Sequence, residues 1–206
     1  LVIAILNYVL VSATFAQKGF NLSGIFPENT RVDTVFLKRP LDRETSVIVK
    51  KTPVKNNSFM MSGNQDSTVV AFLTYKVHDG TVVRKDFLLQ NGNIHFDFRS
   101  SVPTVSGTAL NDSLQRIIAY RDSLSENWDK ADERYEAATE DAKARLKSVV
   151  AFWRTKTQDY TVDAIRRNIN NPLGLLLLSG YTKFTPAVQL TELINPMPET
   201  CKSNPS

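Results

Sequence analysis

Between Gly107 and Pro172 the chain contains neither glycine nor proline, the two residues least tolerated inside a helix. That stretch permits long helices, and its apolar pattern calls for them. Leu114, Arg121, Trp128, Tyr135, Ala142 and Val149 recur every seven residues, interleaved with Ile117, Leu124, Ala131, Ala138, Arg145 and Phe152. All but Arg121 and Arg145 are apolar or aromatic, an a/d stripe sustained over about 112–154. Glu126 and Lys130, and Asp141 and Arg145, stand at the i,i+4 spacing that favours ion pairs. Asn111 or Asp112 is placed to cap the entry. A single helix of ~40 residues would be ~60 Å long, which exceeds a small domain. Two antiparallel helices, broken near Asp129–Glu133 or near Thr139–Asp141, pack more compactly. The pattern by itself supports either form.

Upstream the periodicity is that of strands. Phe20–Phe26 partly alternates and runs into a Pro27-Glu28-Asn29 turn, while Val32–Leu37 and Ser46–Val49 are β-branched runs. Ser58–Met61 is a short strand entered through Lys55-Asn56-Asn57. Val69–Val77 and Val82–Leu89 flank Asp79-Gly80, a pair suited to a tight hairpin, and Asn91-Gly92 separates Val82–Leu89 from Ile94–Phe98. Two hairpin signals between three strands predict a meander. The fold class expected is α+β: an antiparallel β-sandwich of about seven strands followed by a helical hairpin and short helices. In residue terms, 17–106 is the β-sandwich, 107–198 a helical subdomain packing on or beside it, and 199–206 the start of a linker.

Beyond Thr161 a helical pattern resumes in Val162–Ile169 and stops at Asn170-Asn171-Pro172, with Pro172 suited to the first position of the next helix. Leu173–Leu178 is apolar all round, hence buried, and too short to span a bilayer. Pro186–Leu193 forms a last short helix.

At the other end, Leu1–Val11 is an uncharged apolar run followed by Ser12-Ala13-Thr14-Phe15-Ala16-Gln17. This reads as the h-region and small-residue cleavage site of a secretory signal over 1–16, clipped at its start, so the expected location is exported, periplasmic or envelope-associated. Membrane contact is expected only through that segment.

A single cysteine among 206 residues excludes an internal disulfide, a CxxC pair and any multi-cysteine zinc site. Cys201 lies in the Pro-bordered tail, where a thiol could pair only with another chain. Of the two histidines, His78 precedes a turn, and His95 shares a strand face with Asp97 without a third partner. Asp129, Asp132, Glu133, Glu136, Glu140 and Asp141 read as a solvated helix face, because 107–147 interleaves nine acids with seven bases. A carboxylate hydrolase would need two of the acids close together in a pocket. Trp128, Tyr135 and Trp153 fall at core-facing helical spacing. The net charge of +4 is too thin for nucleic-acid binding, since Lys38-Arg39, Lys50-Lys51, Lys55 and Arg84-Lys85 are scattered without interleaved aromatics. No catalytic, cofactor-binding or metal-ligating residue is assigned, and no cofactor is expected.

The order of these segments resembles a known arrangement. Phe20-Asn21-Leu22-Ser23-Gly24-Ile25, Asn57-Ser58-Phe59-Met60-Met61-Ser62-Gly63 and Phe87–Ile94 follow one another. Val105-Ser106-Gly107-Thr108-Ala109-Leu110-Asn111-Asp112, a charged helix and Asn170-Asn171-Pro172-Leu173-Gly174 complete the series. This is similar to the domain of unknown function at the N-terminus of exported thioredoxin-like (TlpA/ResA-like) thiol-disulfide oxidoreductases of Gram-negative gut bacteria. The resemblance covers about 18–200, with the Val105–Asp112 block as its most distinctive marker. It implies a non-catalytic accessory domain, binding or scaffolding, whose partners are a downstream CxxC-bearing thioredoxin-like domain or envelope clients. Both ends of the chain read as those of a fragment. The alternative is a stand-alone cell-envelope protein that binds glycan or protein ligands.

Overall fold

The computed structural model describes residues 19–42, 44–181 and 187–199. The segment read as a secretory signal and the tail with Cys201 lie outside the described residues. Eight strands form two sheets: β1 (Phe20–Ile25), β2 (Thr34–Pro40), β3 (Ser46–Pro53), β4 (Ser58–Gly63), β5 (Val69–Lys76), β6 (Val82–Leu89), β7 (Gly92–Asp97) and β8 (Thr104–Ser106). Helices α1 (Ala109–Glu136), α2 (Glu140–Arg167), α3 (Pro172–Tyr181) and α4 (Ala187–Ile194) follow. The class is α+β, with one strand more than expected; β8 is only three residues long and too short to show a period.

One sheet has the order β4-β1-β7-β8 and the other β3-β2-β5-β6. Asp79-Gly80 makes the expected hairpin: Gly80 sits at φ +90°, its N–H reaches the Val77 carbonyl at 2.9 Å, and β5 and β6 pair antiparallel. Asn91-Gly92 does not. Here the chain leaves one sheet for the other, and β7 pairs in parallel with β1, so the expected meander and wholly antiparallel pairing are both corrected. The reason is that β6 and β7 each need a buried face. Phe87 of β6 and Phe96 of β7, one from each sheet, meet edge-on across the core with ring centroids 4.9 Å apart. Gly92, at φ +132°, makes the change of direction, and its N–H bonds the Gly19 carbonyl at 3.0 Å.

The facing sheets enclose an aromatic cluster in which Phe26 stacks on Phe98 at 4.7 Å and meets Tyr75 edge-on at 4.9 Å. β5 is buried from Val69 to Tyr75 because helices cover its other face: α3 packs on β5 and β6. Leu173, Leu178 and Ile165 join the same core as Leu73 and Phe87. A strand covered on both faces reads as a continuous apolar run rather than an alternation.

Each seam between the sheets is closed by side chains. On one side the β3–β4 turn places Asn56 and Asn57 at positive φ, as a two-residue hairpin requires. Lys50 then donates to the Ser62 carbonyl, and Thr52 to the Met60 carbonyl at 3.1 Å. On the other side α1 enters between β6 and β8. Asn111 accepts the Leu88 N–H at 3.0 Å and donates to the Leu88 carbonyl at 2.9 Å. One turn on, Gln115 accepts the Val105 N–H at 3.1 Å. Residues four apart share a helix face, so one face of α1 binds both sheet edges. Neither Asn111 nor Asp112 serves as the helix cap: Thr108 is the N-cap residue, without a side-chain cap bond, and Asp112 accepts the Gly107 N–H at 2.8 Å.

The helical stretch is a hairpin turning at 137–139, beside the later of the two expected breaks. Each arm has 28 residues, about 42 Å at 1.5 Å per residue. The turn resets the heptad phase. Leu114, Leu124 and Ala131 are buried in α1, whereas in α2 the buried positions are Val150, Thr157, Thr161, Ala164 and Ile165. Val149 and Phe152, expected in the stripe, are 42% and 55% exposed. Thr157 and Thr161 satisfy their hydroxyls on the carbonyls of Trp153 and Thr157, each at 2.9 Å. Asn171 accepts the Leu173 N–H at 2.9 Å at the start of α3, and Pro172 is that helix's first residue.

Candidate functional site

The residues singled out in the sequence do not converge. His95 is exposed and shares a 2.7 Å hydrogen bond with Ser23 on the neighbouring strand. Asp97 instead holds Arg99, 2.6 Å away. The Arg99 guanidinium and backbone N–H lower the Asp97 carboxyl to about 2. His78 lies exposed at the β5–β6 turn. All six acids from Asp129 to Asp141 are exposed; Glu140 pairs with Lys143 at 3.2 Å, and Glu126 with Lys130 at 4.0 Å. Asp141 and Arg145 are not among the ion pairs of the described residues. The two-acid pocket that a carboxylate hydrolase needs is therefore not built from these acids. Among the described residues no three His, Cys, Asp or Glu side chains gather as for a metal, and no helix is long and apolar enough to cross a membrane.

What the fold does build is a groove of about 890 Å³ where β6 meets α1, α2 and α3. Its size is in the range of ligand-binding clefts. The floor is apolar: Leu114, Ile117 and Ile118 come from α1, Ala164 from α2, and Leu176 and Leu177 from α3. Trp128 stands further along α1 on the same side, at the spacing 114, 118, 121, 125, 128 that keeps one helix face toward the cleft. Its indole is half-buried, with the Arg154 guanidinium over the ring at 5.3 Å. No acceptor among the described residues reaches its buried Nε1–H.

Four cations rim this groove, Arg84, Lys85, Arg121 and Arg154, against two carboxylates, Asp86 and Asp122. Arg84 is held by Asp86 at 2.7 Å and Arg121 by Asp122 at 3.0 Å. Lys85 and Arg154 have no carboxylate within ion-pair distance among the described residues. The Lys85 side chain turns into the seam and donates to the Pro103 carbonyl at 2.5 Å. Burial lowers its ammonium below the ordinary lysine value, against the opposing fields of Asp86 and Asp122. A partly desolvated cation above an apolar floor favours an anionic group carried on an apolar body.

The strand edge adds backbone groups. Leu88 turns its N–H and C=O away from β5 toward Asn111. The β5–β6 register runs without a break from Val69↔Leu89 to Lys76↔Val82. In an antiparallel ladder alternate residues point the same way, so Asp86 and Arg84 also turn N–H and C=O outward. No hydrogen bond among the described residues reaches those groups. A second, more open cleft of about 690 Å³ lies on the other side of the hairpin, bordered by Tyr120, Phe152 and Tyr160.

None of this was assigned from the sequence. Arg84-Lys85 stood out only as a basic pair and Trp128 only as a heptad position, because the groove draws on four separate segments of the chain, 84–86, 114–128, 154–164 and 176–180. Comparison with known proteins bears on the β unit. No curated protein and no solved structure matches the chain. Residues 20–114 match the family described as a domain of unknown function, DUF4369, a span that runs from β1 through the Asn111 lock on β6.

Proposed function

We propose that the chain is a non-catalytic accessory domain of an exported thiol-disulfide oxidoreductase, and that the groove beside β6 is its binding surface. The two sheets form a β-sandwich that serves as the rigid base, and α1 and α2 supply one wall of the site. The observation that carries the reading is the groove's makeup: an apolar floor, with Lys85 and Arg154 lacking carboxylate partners at its rim. Such a surface suits the binding of an anionic group carried on an apolar body. The link to redox chemistry rests on the ordered segments from Phe20 to Gly174 and on their resemblance to the domain preceding a thioredoxin-like fold. The apolar start of the chain, with Ala16 at a cleavage position, supports an envelope location.

The test begins with the coding sequence. A CxxC-bearing thioredoxin-like domain is expected within about 150 residues, one domain's length, after Ser206; its absence refutes the redox link. In the full-length protein, deleting 20–199 should leave reduction of a small disulfide such as oxidised glutathione unchanged while slowing reduction of a folded protein disulfide. Equal slowing of both would make the domain part of the catalytic unit rather than an accessory.

A stand-alone envelope protein that binds glycan is the second reading. It is favoured by the open cleft of Tyr120, Phe152 and Tyr160, where Tyr120 is 49% and Phe152 55% exposed. Binding on a glycan array that is lost in Phe152→Ser, with thiol exchange unaffected by the domain, would select it.

A further inference from the structure

Resting on the accessory-domain reading, we infer that the groove captures an extended, acidic and apolar polypeptide segment as an added strand on the free edge of β6. Three independent observations meet there. The first is the edge itself. Asn111 already occupies the Leu88 position of the β6 edge with one donor and one acceptor, as a neighbouring strand would. The next two outward positions, Asp86 and Arg84, open into the groove without a partner among the described residues. Unpaired edge groups beside an apolar trough are the requirement for strand addition, in which main-chain bonds supply affinity and alternate side chains supply selectivity.

The second observation is the trough. A strand laid against Arg84 and Asp86 sends alternate side chains toward Ile117, Ile118 and Leu177 and the others toward the rim. The third is charge. With Arg84 and Arg121 neutralised by their own carboxylates, the surplus is Lys85 and Arg154, so a segment with carboxylates on its rim-facing positions is complementary. A small amphiphilic carboxylate would match the floor and the charge, but it would leave the edge groups of Arg84 and Asp86 unused.

The experiment uses the full chain carrying Trp153→Phe, so that Trp128 is the only indole and reports groove occupancy by fluorescence. The probes are a seven-residue acetylated peptide alternating glutamate with valine, the same peptide N-methylated at alternate amides, and decanoate. The expected result is a saturable Trp128 response to the parent peptide that weakens at raised salt. Amide exchange at Arg84 and Asp86 should slow at least about tenfold on binding. N-methylation should weaken binding by about tenfold or more, since it removes main-chain bonds while keeping every side chain. Lys85→Met, checked for folding by circular dichroism, should weaken the parent peptide by about tenfold.

Equal binding of the N-methylated peptide overturns strand addition. Binding of decanoate but not of the peptide makes the groove an amphiphile site. No response to the parent peptide, or a response without protection at Arg84 and Asp86, overturns the proposal outright. None of these outcomes alters whether a CxxC domain follows Ser206, so this inference and the accessory-domain reading fail separately.

Discussion

Asn111 stands to Leu88 as one residue of a strand stands to its neighbour: its side-chain amide accepts the Leu88 N–H at 3.0 Å and returns a hydrogen bond to the Leu88 carbonyl at 2.9 Å. Both residues are fully buried. A third bond, from the Asn111 amide to the Thr108 hydroxyl at 2.8 Å, fixes the orientation of the amide. The block Val105–Asp112, distinctive in sequence, is thus occupied with closing the seam between two sheets. Asn111 and Asp112 both hold backbone groups.

Replacing Asn111 should therefore cost stability well above that of an ordinary helix position. Asn111→Ala leaves a buried N–H and C=O of Leu88 unpaired, at roughly 1–3 kcal/mol each, so a loss of about 2–6 kcal/mol is expected in urea unfolding. Asn111→Asp should be no better at neutral pH, where a carboxylate faces the Leu88 carbonyl, and should recover partly in acid as it gains a proton. A loss under about 1 kcal/mol in Asn111→Ala would mean that water replaces the lock.

Two glycines at positive φ should respond unequally to alanine. Gly107 is at φ +96° and Gly80 at φ +90°. A Cβ on Gly107 would lie 2.4 Å from the Asn93 carbonyl oxygen, whereas on Gly80 its nearest neighbour is the flexible Lys76 side chain at 3.7 Å. Gly80→Ala pays only the backbone strain, about 1–2 kcal/mol. Gly107→Ala should exceed it by at least about 1 kcal/mol, or roughly 2–4 °C in Tm for a chain of this size.

The phase of α2 is testable by three alanine substitutions read by thermal melting. Val150 is buried, so Val150→Ala should cost about 1–3 kcal/mol. Val149→Ala and Phe152→Ala, at exposed positions, should stay within about 0.5 kcal/mol of the parent. The reverse ranking would restore the unbroken heptad.

Acid titration should find Asp97 apart from the other carboxylates. Hydrogen bonds from Arg99 hold its carboxyl near about 2, below the ordinary 3.8. A depressed carboxyl contributes its stability above the unfolded value of 3.8 and loses it as pH falls through about 2. Because the pair is open to solvent, that contribution is small, and the direct check is the carboxyl carbon resonance. Arg99→Gln should return the midpoint toward 3.8; an unchanged midpoint would assign the shift to another group.

Local chemistry made much of the fold legible. Asp79-Gly80 announced a hairpin, Pro172 a helix start, and the Gly- and Pro-free stretch long helices, since each depends on backbone preferences of a few adjacent residues. Asn91-Gly92 misled because a turn signal says that the chain reverses or bends, not which strand receives it. The heptad from Leu114 to Phe152 misled at its end for a related reason: an unbroken spacing of seven does not register a three-residue turn that rotates the next helix. β8 and the groove left no readable mark, one being too short for periodicity and the other assembled from four distant segments.

From the order of its residues alone, then, this chain is committed to strands from Phe20 to Phe98, to long helices from Leu110 onward, and to chemistry without a cysteine pair. Those properties follow from neighbour-to-neighbour sterics and from composition, which no tertiary contact can change. The tertiary structure alone decided that β7 lies beside β1, that Asn111 and Gln115 close two sheet edges, and that Lys85 and Arg154 line the same apolar trough. These depend on which surfaces must be buried together and which backbone groups are left unpaired, quantities that exist only when distant segments meet.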